Sequence, residues 1–172
     1  MTHMADIILL DGGMGQELVH RAEGVPTPLW STQVMLDHPG MVRSVHADFL
    51  AAGARVATTN TYAILRDRLE GTGLEDRFTD LHDMALTEAR AAVANHGAGA
   101  IAGSIGPLRA SYRPDLHPEV EVAAPIYREI AMILAPQVDL FICETVASLQ
   151  HAQSLLEATR GLDRPVWLSF TV

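Results

Sequence analysis

The residues in this sequence that are best suited to chemistry stand where apolar runs end. Asp11 directly follows the run 6–10, and glycines occupy three of the next four positions, 12, 13 and 15. A carboxylate at a strand end can hold a cation, and glycines let backbone N–H groups approach a ligand closely. Polar residues end three further apolar runs: Thr59, Asn60, Ser104 and Glu144. These groups can share one site only if the strands are parallel and their carboxyl ends lie together.

Five strand-like runs and four helix-like segments alternate along the chain. The runs are 6–10, 55–59, 100–103, 139–143 and 166–170, and the helical segments are 39–52, 75–96, 120–134 and 148–160. In the segment 75–96, Phe78, Leu81, Ala85 and Ala89 recur at helical spacing, and Gly97 suits the helix end. This alternation predicts a parallel sheet covered by helices.

Two α/β architectures fit this pattern. One is an open, doubly wound sheet, and the other is a (β/α)8 TIM barrel, which normally takes about 250 residues. The sequence stops directly after its fifth strand-like run. We therefore expect residues 1–172 to form one domain, the N-terminal portion of such a barrel with about five strands and four helical units.

Composition argues against several classes of partner. The net charge is −9, from 12 basic and 21 acidic residues, whereas nucleic acids and anionic membranes need clustered Lys and Arg. No apolar run approaches the roughly 20 residues of a membrane helix, and no signal peptide is recognisable. Cys143 is the only cysteine, so an internal disulfide is impossible and a cytoplasmic setting is expected.

Seven short motifs in order give the sequence a family resemblance. They are 11–18 (DGGMGQEL), 28–31 (PLWS), 45–54 (VHADFLAAGA), 59–62 (TNTY), 102–107 (AGSIGP), 139–145 (DLFICET) and 165–170 (PVWLSF). Together they resemble the homocysteine S-methyltransferase family, and the resemblance covers essentially the whole chain. Gln16 departs from it, because a threonine is common there.

The resemblance implies a zinc-dependent TIM barrel that transfers a methyl group from an onium donor, such as S-methylmethionine or betaine, to homocysteine. It implies that Asp11 and Glu144 contact the homocysteine amino group, and that backbone N–H groups near Gly12 and Gly13 bind its carboxylate. It also places Thr59, with the adjacent Asn60, at the substrate and Trp30 at the methyl donor.

The metal is the part of the resemblance that this sequence does not supply. Methyl transfer to sulfur needs a thiolate, which binding to zinc generates. The family's zinc ligands are later cysteines, which would lie beyond residue 172, and Cys143 does not match them by position. We therefore expect zinc ligands outside this chain, none within it, and no activity from the 172 residues alone.

Simpler interpretations remain open. Asp11 can cap a turn, Glu144 can sit at a helix N-terminus, and Trp30 can be a core residue. Thr59, Asn60 and Ser104 can bond loop backbone, and the histidines at 46 and 82 suit structural positions. Two other functions also fit: a non-catalytic half-barrel that binds an amino acid or a partner, and a divalent-metal enzyme using both carboxylates. An unclosed sheet would also favour a homo-oligomer or a complementary barrel half.

Overall fold

The computed structural model describes residues 7–23 and 27–171 and contains one parallel sheet. Its strands are β1 (Val56–Thr58), β2 (Ala100–Ile105), β3 (Leu140–Val146) and β4 (Val166–Phe170). Pairing is parallel throughout, with Ala57 opposite Ile101 and Ala102 opposite Leu140. All four strands coincide with predicted runs, within three residues at each end.

The order of the strands decides between the two predicted architectures. They lie in the sheet as β1-β2-β3-β4, the same order as in the chain. A doubly wound sheet reverses its strand order at a switch point, whereas a barrel adds each strand beside the last. The order therefore confirms the barrel-type prediction, and the described strands form an open part of a barrel.

The described residues form seven α-helices. They are α1 (Met14–Ala22), α2 (Ser31–Asp37), α3 (Met41–Ala51), α4 (Arg66–Leu69), α5 (Phe78–His96), α6 (Val120–Leu134) and α7 (Leu149–Thr159). Gly97 ends α5 at a φ of 83°, and the Ser148 side chain caps α7 by accepting from the His151 N–H at 3.1 Å. Among the described helices, none has the length and apolarity needed to cross a membrane.

The two faces of the sheet bury different apolar clusters. One face packs under the helices and contributes Ile101, Phe141 and Cys143 to the main core. The other face carries a small cluster of Val56, Ala102, Leu140 and Ile142. Because side chains alternate along a strand, Thr58 and Glu144 fall on this second face, towards the carboxyl ends of β1 and β3. The polar site is therefore built on the face that the helices do not cover.

The first predicted strand is the element that the structure corrects. Residue 6 lies outside the described residues, and residues 7–10 form only an isolated parallel bridge, between Leu10 and Val56. These four residues pair on one side only and stay 40–83% exposed, so they gain little from ladder formation. The described sheet thus has four strands, and three of the described helices, α1, α2 and α4, lie outside the predicted helical segments.

Candidate functional site

A cavity of about 580 Å³ opens at the carboxyl ends of the strands. It contains Asp11, Gly12, Gly13, Trp30, Thr59, Asn60 and Glu144, the complete set of predicted substrate and donor residues. The other lining residues are Leu10, Met14, Gly15, Gln16, Thr58, Tyr62, Arg68, Ser111, Tyr112, Ile142, Thr145 and Ser169. Asp11 and Glu144, which are 133 positions apart in the sequence, therefore share one pocket of ligand size.

Asp11 is fixed by β1. Its Oδ2 accepts a hydrogen bond from the Thr58 backbone N–H, and its Oδ1 accepts one from the Thr58 hydroxyl, both at 2.6 Å. One residue earlier, the backbone of Leu10 pairs with Val56 of β1. At Asp11 the side chain, in place of the backbone, makes the contact with β1. Each oxygen retains a lone pair after these two bonds, which leaves the carboxylate able to bind a ligand.

Glu144 is fixed by β2. The Ser104 hydroxyl donates to Glu144 Oε1 at 2.5 Å, and Ser104 itself is fully buried. The sequence placed Ser104 at a strand end as a candidate contact, but in the structure it lies beneath Glu144 and outside the cavity lining. Ser104 therefore positions a carboxylate.

The two carboxylates make this part of the cavity a site for a positive charge. Burial raises the pKa of Asp11 above its ordinary value, against the bonds from Thr58. Burial also raises the pKa of Glu144, and the negative charge of Asp11 raises it further. Two buried like charges repel each other, so a cation bound between them relieves an unfavourable arrangement. An ammonium group fits because each oxygen can accept one of its protons.

A site for negative charge lies next to these carboxylates, at the N-terminus of α1. Gly13 occupies the N-cap position, and no side chain caps the helix there. The first N–H groups of a helix lack internal partners and bear a partial positive charge, which suits a carboxylate. Gly12 is confined by packing, because a Cβ there would lie 2.8 Å from the Phe49 ring.

An aromatic wall completes the pocket. Trp30 and Tyr62 meet edge to face with ring centroids 5.9 Å apart. Each ring lies against a glycine: a Cβ on Gly15 would overlap the Trp30 ring, and one on Gly106 would lie 2.9 Å from the Tyr62 ring. The wall can attract a cation through its ring faces.

Thr59 and Asn60 line the cavity, yet both side chains already bond to protein. The Thr59 hydroxyl accepts from the Ser104 N–H at 3.1 Å and pairs with the Thr61 hydroxyl at 2.8 Å. The Asn60 amide donates to the Ser31 carbonyl at 3.2 Å. Their direct contact with a ligand stays a prediction.

Sequence reasoning missed several lining residues, above all Tyr62, Arg68, Ser111 and Thr145. The Tyr62 hydroxyl bonds to Ser111 at 2.8 Å and to Thr145 at 3.1 Å, so it joins three separate segments of chain. Thr145 also adopts a φ of 55°, at the irregular pairing between β3 and β4. Tyr62 and Thr145 fall inside the recognised motifs, which was the available signal, whereas nothing in the sequence singled out Ser111 or Arg68.

The residues most capable of binding zinc do not form a zinc site. Cys143 is fully buried in the main core, and burial raises the pKa of its thiol to about 12. His46 and His82 are fully buried as well, and burial lowers the pKa of His46 to about 4. Within residues 7–23 and 27–171, no three His, Cys, Asp or Glu side chains group as metal ligands. The described residues therefore do not fit the metal that the resemblance implies.

Comparison with known families identifies one match over nearly the whole chain. The family described as Homocysteine S-methyltransferase matches residues 8–172. The chain is 31% identical to the homocysteine S-methyltransferase of Escherichia coli, covering 97% of this chain and 59% of that protein. It is 29% identical to betaine–homocysteine S-methyltransferase 1 of Danio rerio, covering 94% of this chain and 40% of the relative.

A solved structure agrees with these sequence matches. The metallated form of the Escherichia coli homocysteine methyltransferase MmuM superposes with a TM-score of 0.86 at 31% identity. The superposition covers 98% of this chain and 64% of that one. The chain therefore spans about two fifths to two thirds of the length of the relatives that it matches.

Proposed function

Because this chain belongs to the homocysteine S-methyltransferase family, we propose that it is the amino-acid-binding part of an enzyme that methylates homocysteine. The methyl group comes from an onium donor, S-methylmethionine or betaine, and the product is methionine. Residues 1–172 then form the substrate half of a cytoplasmic TIM-barrel enzyme. The relatives bear the names of such enzymes, and the chain covers only part of each.

The observation that carries the proposal is the pairing of opposite charges in one cavity. Asp11 and Glu144 suit an ammonium group, and the uncapped N-terminus of α1 suits a carboxylate. An α-amino acid carries both groups on one carbon atom. The cavity thus matches the end of homocysteine that does not react and leaves its sulfur free to reach towards a donor.

The reaction joins the homocysteine sulfur to the methyl carbon as the bond from that carbon to the onium atom breaks. The sulfur supplies the electron pair of the new bond, and the onium atom keeps the pair of the broken one. The thiol must lose its proton, because the thiolate is the nucleophile. We expect zinc, held by ligands outside this chain, to supply this deprotonation when it is bound.

The described residues contribute binding and orientation. Asp11 and Glu144 hold the amino end, while Trp30 offers a ring face to the positive onium group, an attraction of about 0.5–2 kcal/mol. Fixing the two reactants in line lowers the barrier by removing their freedom to misalign. Because the deprotonating metal is not supplied here, we expect no methyl transfer by the 172 residues alone.

Exposed apolar residues at the sheet edges favour a larger assembly. Ile7 is 83% exposed beside β1, and Phe170 is 50% exposed on β4. Unpaired edges of this kind invite another strand. We propose that the rest of the barrel, from the same polypeptide or from a complementary chain, covers them.

Calorimetric titration with L-homocysteine tests the amino-acid site. We expect Asp11→Asn and Glu144→Gln each to weaken binding about tenfold or more, since each removes a charge-assisted contact. Asp115→Asn is the matched control, because Asp115 is an exposed carboxylate paired with Arg113 and lies outside the cavity lining. Unchanged affinity in both site variants would overturn the assignment.

A further inference from the structure

The cavity holds a cation that the proposed function has not used. Arg68 lies on α4 and lines the same cavity as Asp11 and Glu144. Among the lining residues in the described part of the chain, it alone is positively charged. Its place within the binding cavity favours a ligand that carries a negatively charged group.

Protein contacts leave the Arg68 guanidinium largely unused. Its Nη2 lies 3.5 Å from the Ser111 hydroxyl, a long hydrogen bond, and its Nε is buried without a partner. None of the ion pairs found among the described residues includes it. The adjacent Asp67 forms no ion pair with it: Asp67 Oδ2 accepts from the Arg109 N–H at 2.7 Å, and Asp67 Oδ1 is buried without a hydrogen-bond partner.

Arg66, two residues earlier on α4, is an arginine whose guanidinium is paired with a carboxylate of the protein. Its Nε and Nη2 donate to the Glu129 carboxylate at 2.9 and 2.6 Å. That pair is exposed and lines a different cavity. The same turn of helix thus carries one arginine bound to a carboxylate of the protein and one, Arg68, that lines the binding cavity without an ion pair.

Arg68 also lies close to the proposed donor wall. Its Cζ is 5.5 Å from the centre of the Tyr62 ring, and that ring is 5.9 Å from the ring of Trp30. A ligand of a few carbon atoms with its onium group on Trp30 can therefore place its other end at Arg68. Homocysteine needs no such partner if its carboxylate binds at the N-terminus of α1.

We propose that Arg68 binds the carboxylate of the methyl donor, so that the site selects onium compounds that carry an acid group. This inference rests on the proposed function. A guanidinium offers two parallel N–H groups that match both oxygens of a carboxylate. An onium compound without an acid group would leave the Arg68 guanidinium without an anionic partner, which makes its binding weaker than that of the acid.

Paired ligands test the selection directly. Glycine betaine and choline share a trimethylammonium group and differ in the acid, and dimethylsulfoniopropionate and its methyl ester form the equivalent sulfonium pair. With homocysteine present, we expect the acid of each pair to bind the chain about tenfold more tightly. Titrations followed by the NMR signal of the Trp30 indole measure these affinities.

Variants then locate the selection. Arg68→Gln should abolish the preference and leave the affinity for homocysteine unchanged, and Arg68→Lys should retain part of it because the charge stays while the fork is lost. Arg66→Gln is the matched control, with the same change of charge on the same helix turn, and should keep the full preference.

The outcomes separate the two proposals. Equal binding of acid and neutral ligands by the unmodified chain, or a preference that survives in Arg68→Gln, overturns the role of Arg68 while homocysteine binding still stands. If neither member of a pair binds, the donor site at Trp30 and the role of Arg68 both fail. Loss of homocysteine binding from the unmodified chain overturns the proposed function itself.

Discussion

Two clusters of polar side chains lie within the described structure, and they are built differently. In the cavity, Asp11 and Glu144 each take hydrogen bonds from one neighbouring strand residue and keep lone pairs towards open space. Behind it, the Tyr127 hydroxyl bonds to both His117 and His151, and Tyr127 and His151 are almost fully buried. The first cluster has capacity left over for a ligand, whereas in the second His117 Nδ1 is the one ring nitrogen that finds no partner among the described residues.

The hydrogen bonds of the second cluster fix its protonation. The Ala147 N–H donates to His151 Nδ1 at 3.4 Å, so Nε2 carries the proton and donates to the Tyr127 oxygen at 3.0 Å. That oxygen also accepts from the Leu108 N–H at 3.0 Å. Its own proton is then directed to His117 Nε2 at 3.2 Å. The hydroxyl uses its donor and both acceptor positions, and it anchors the loop that leads to Ser111 and Tyr112.

The difference between the clusters shows how a binding site can be told from a scaffold. Buried polar groups that satisfy one another stabilise a fold, whereas buried groups that repel and stay partly unpaired cost stability unless a ligand binds. Substitution in the two clusters should therefore have opposite consequences. The scaffold variant should lose stability without losing affinity, and the site variants should lose affinity without losing stability.

The largest effect is expected from Tyr127→Phe. It leaves the Leu108 N–H and the His151 Nε2–H buried without acceptors, at a cost of about 1–3 kcal/mol for each. Chemical denaturation should show a lower free energy of unfolding, while homocysteine affinity of the folded protein stays within about twofold, less than 0.5 kcal/mol. A tenfold loss of affinity with unchanged stability would place Tyr127 in the binding site and break the comparison.

Much of the fold was predictable because its signals are local. Helix α6 has the bounds predicted from its apolar periodicity, and β4 begins and ends where predicted. The placement of Asp11 and Glu144 at strand ends also predicted that they share a cavity, since parallel strands bring their carboxyl ends together. These features follow from residue spacing along one segment at a time.

The features that were missed depend on contacts between distant segments. Helix α2 is only seven residues long and begins with serine and threonine, so packing rather than propensity makes it helical. The predicted first strand is wrong over the described residues 7–10, because Leu10 alone pairs there, in an isolated bridge with Val56. Arg68 and Ser111 are 43 residues apart in the sequence. Arg68 lies on a single helical turn and Ser111 in a loop, so neither segment has a periodic residue pattern that would predict their contact.

Buried histidines and the two cavity carboxylates should contribute to the pH dependence of stability in opposite directions. Burial lowers the pKa of His46 and of His151 to about 4, from an ordinary 6.5. The unfolded chain therefore binds more protons between these values, so their contribution to stability is complete above pH 6.5 and is lost towards pH 4. The pKa of Asp11 and Glu144 is raised instead, so these carboxylates reduce stability as the pH rises above their ordinary values of 3.8 and 4.5.

Denaturation between pH 4.5 and 7 separates these contributions. We expect the free energy of unfolding to rise with pH in the unmodified chain, because the pKa is lowered at four histidines, at positions 46, 82, 117 and 151, and raised at only these two carboxylates. His151→Gln should make this rise shallower, and Glu144→Gln should make it steeper by removing an opposing contribution. Stability that falls from pH 4.5 to 7 would mean that the carboxylates dominate and that the histidine cluster is not a neutral scaffold.

The smallest effect should come from Ser104→Ala, which changes the support of the site and leaves its carboxylates in place. Without the 2.5 Å bond from Ser104, Glu144 is less firmly held and the pKa of Glu144 should rise further, since that bond now lowers it. Homocysteine affinity should fall about threefold to fivefold, or roughly 1 kcal/mol. Because the added pKa shift protonates Glu144 more readily, the loss should grow as the pH is lowered from 7.5 to 6.

Ser154→Ala is the matched control: Ser154 is equally buried, but its hydroxyl donates to the Gln150 carbonyl on α7, away from the cavity. If both variants lower affinity equally and without pH dependence, Ser104 acts only through the fold. Glu144 then belongs to the binding site, and Ser104 belongs to the scaffold.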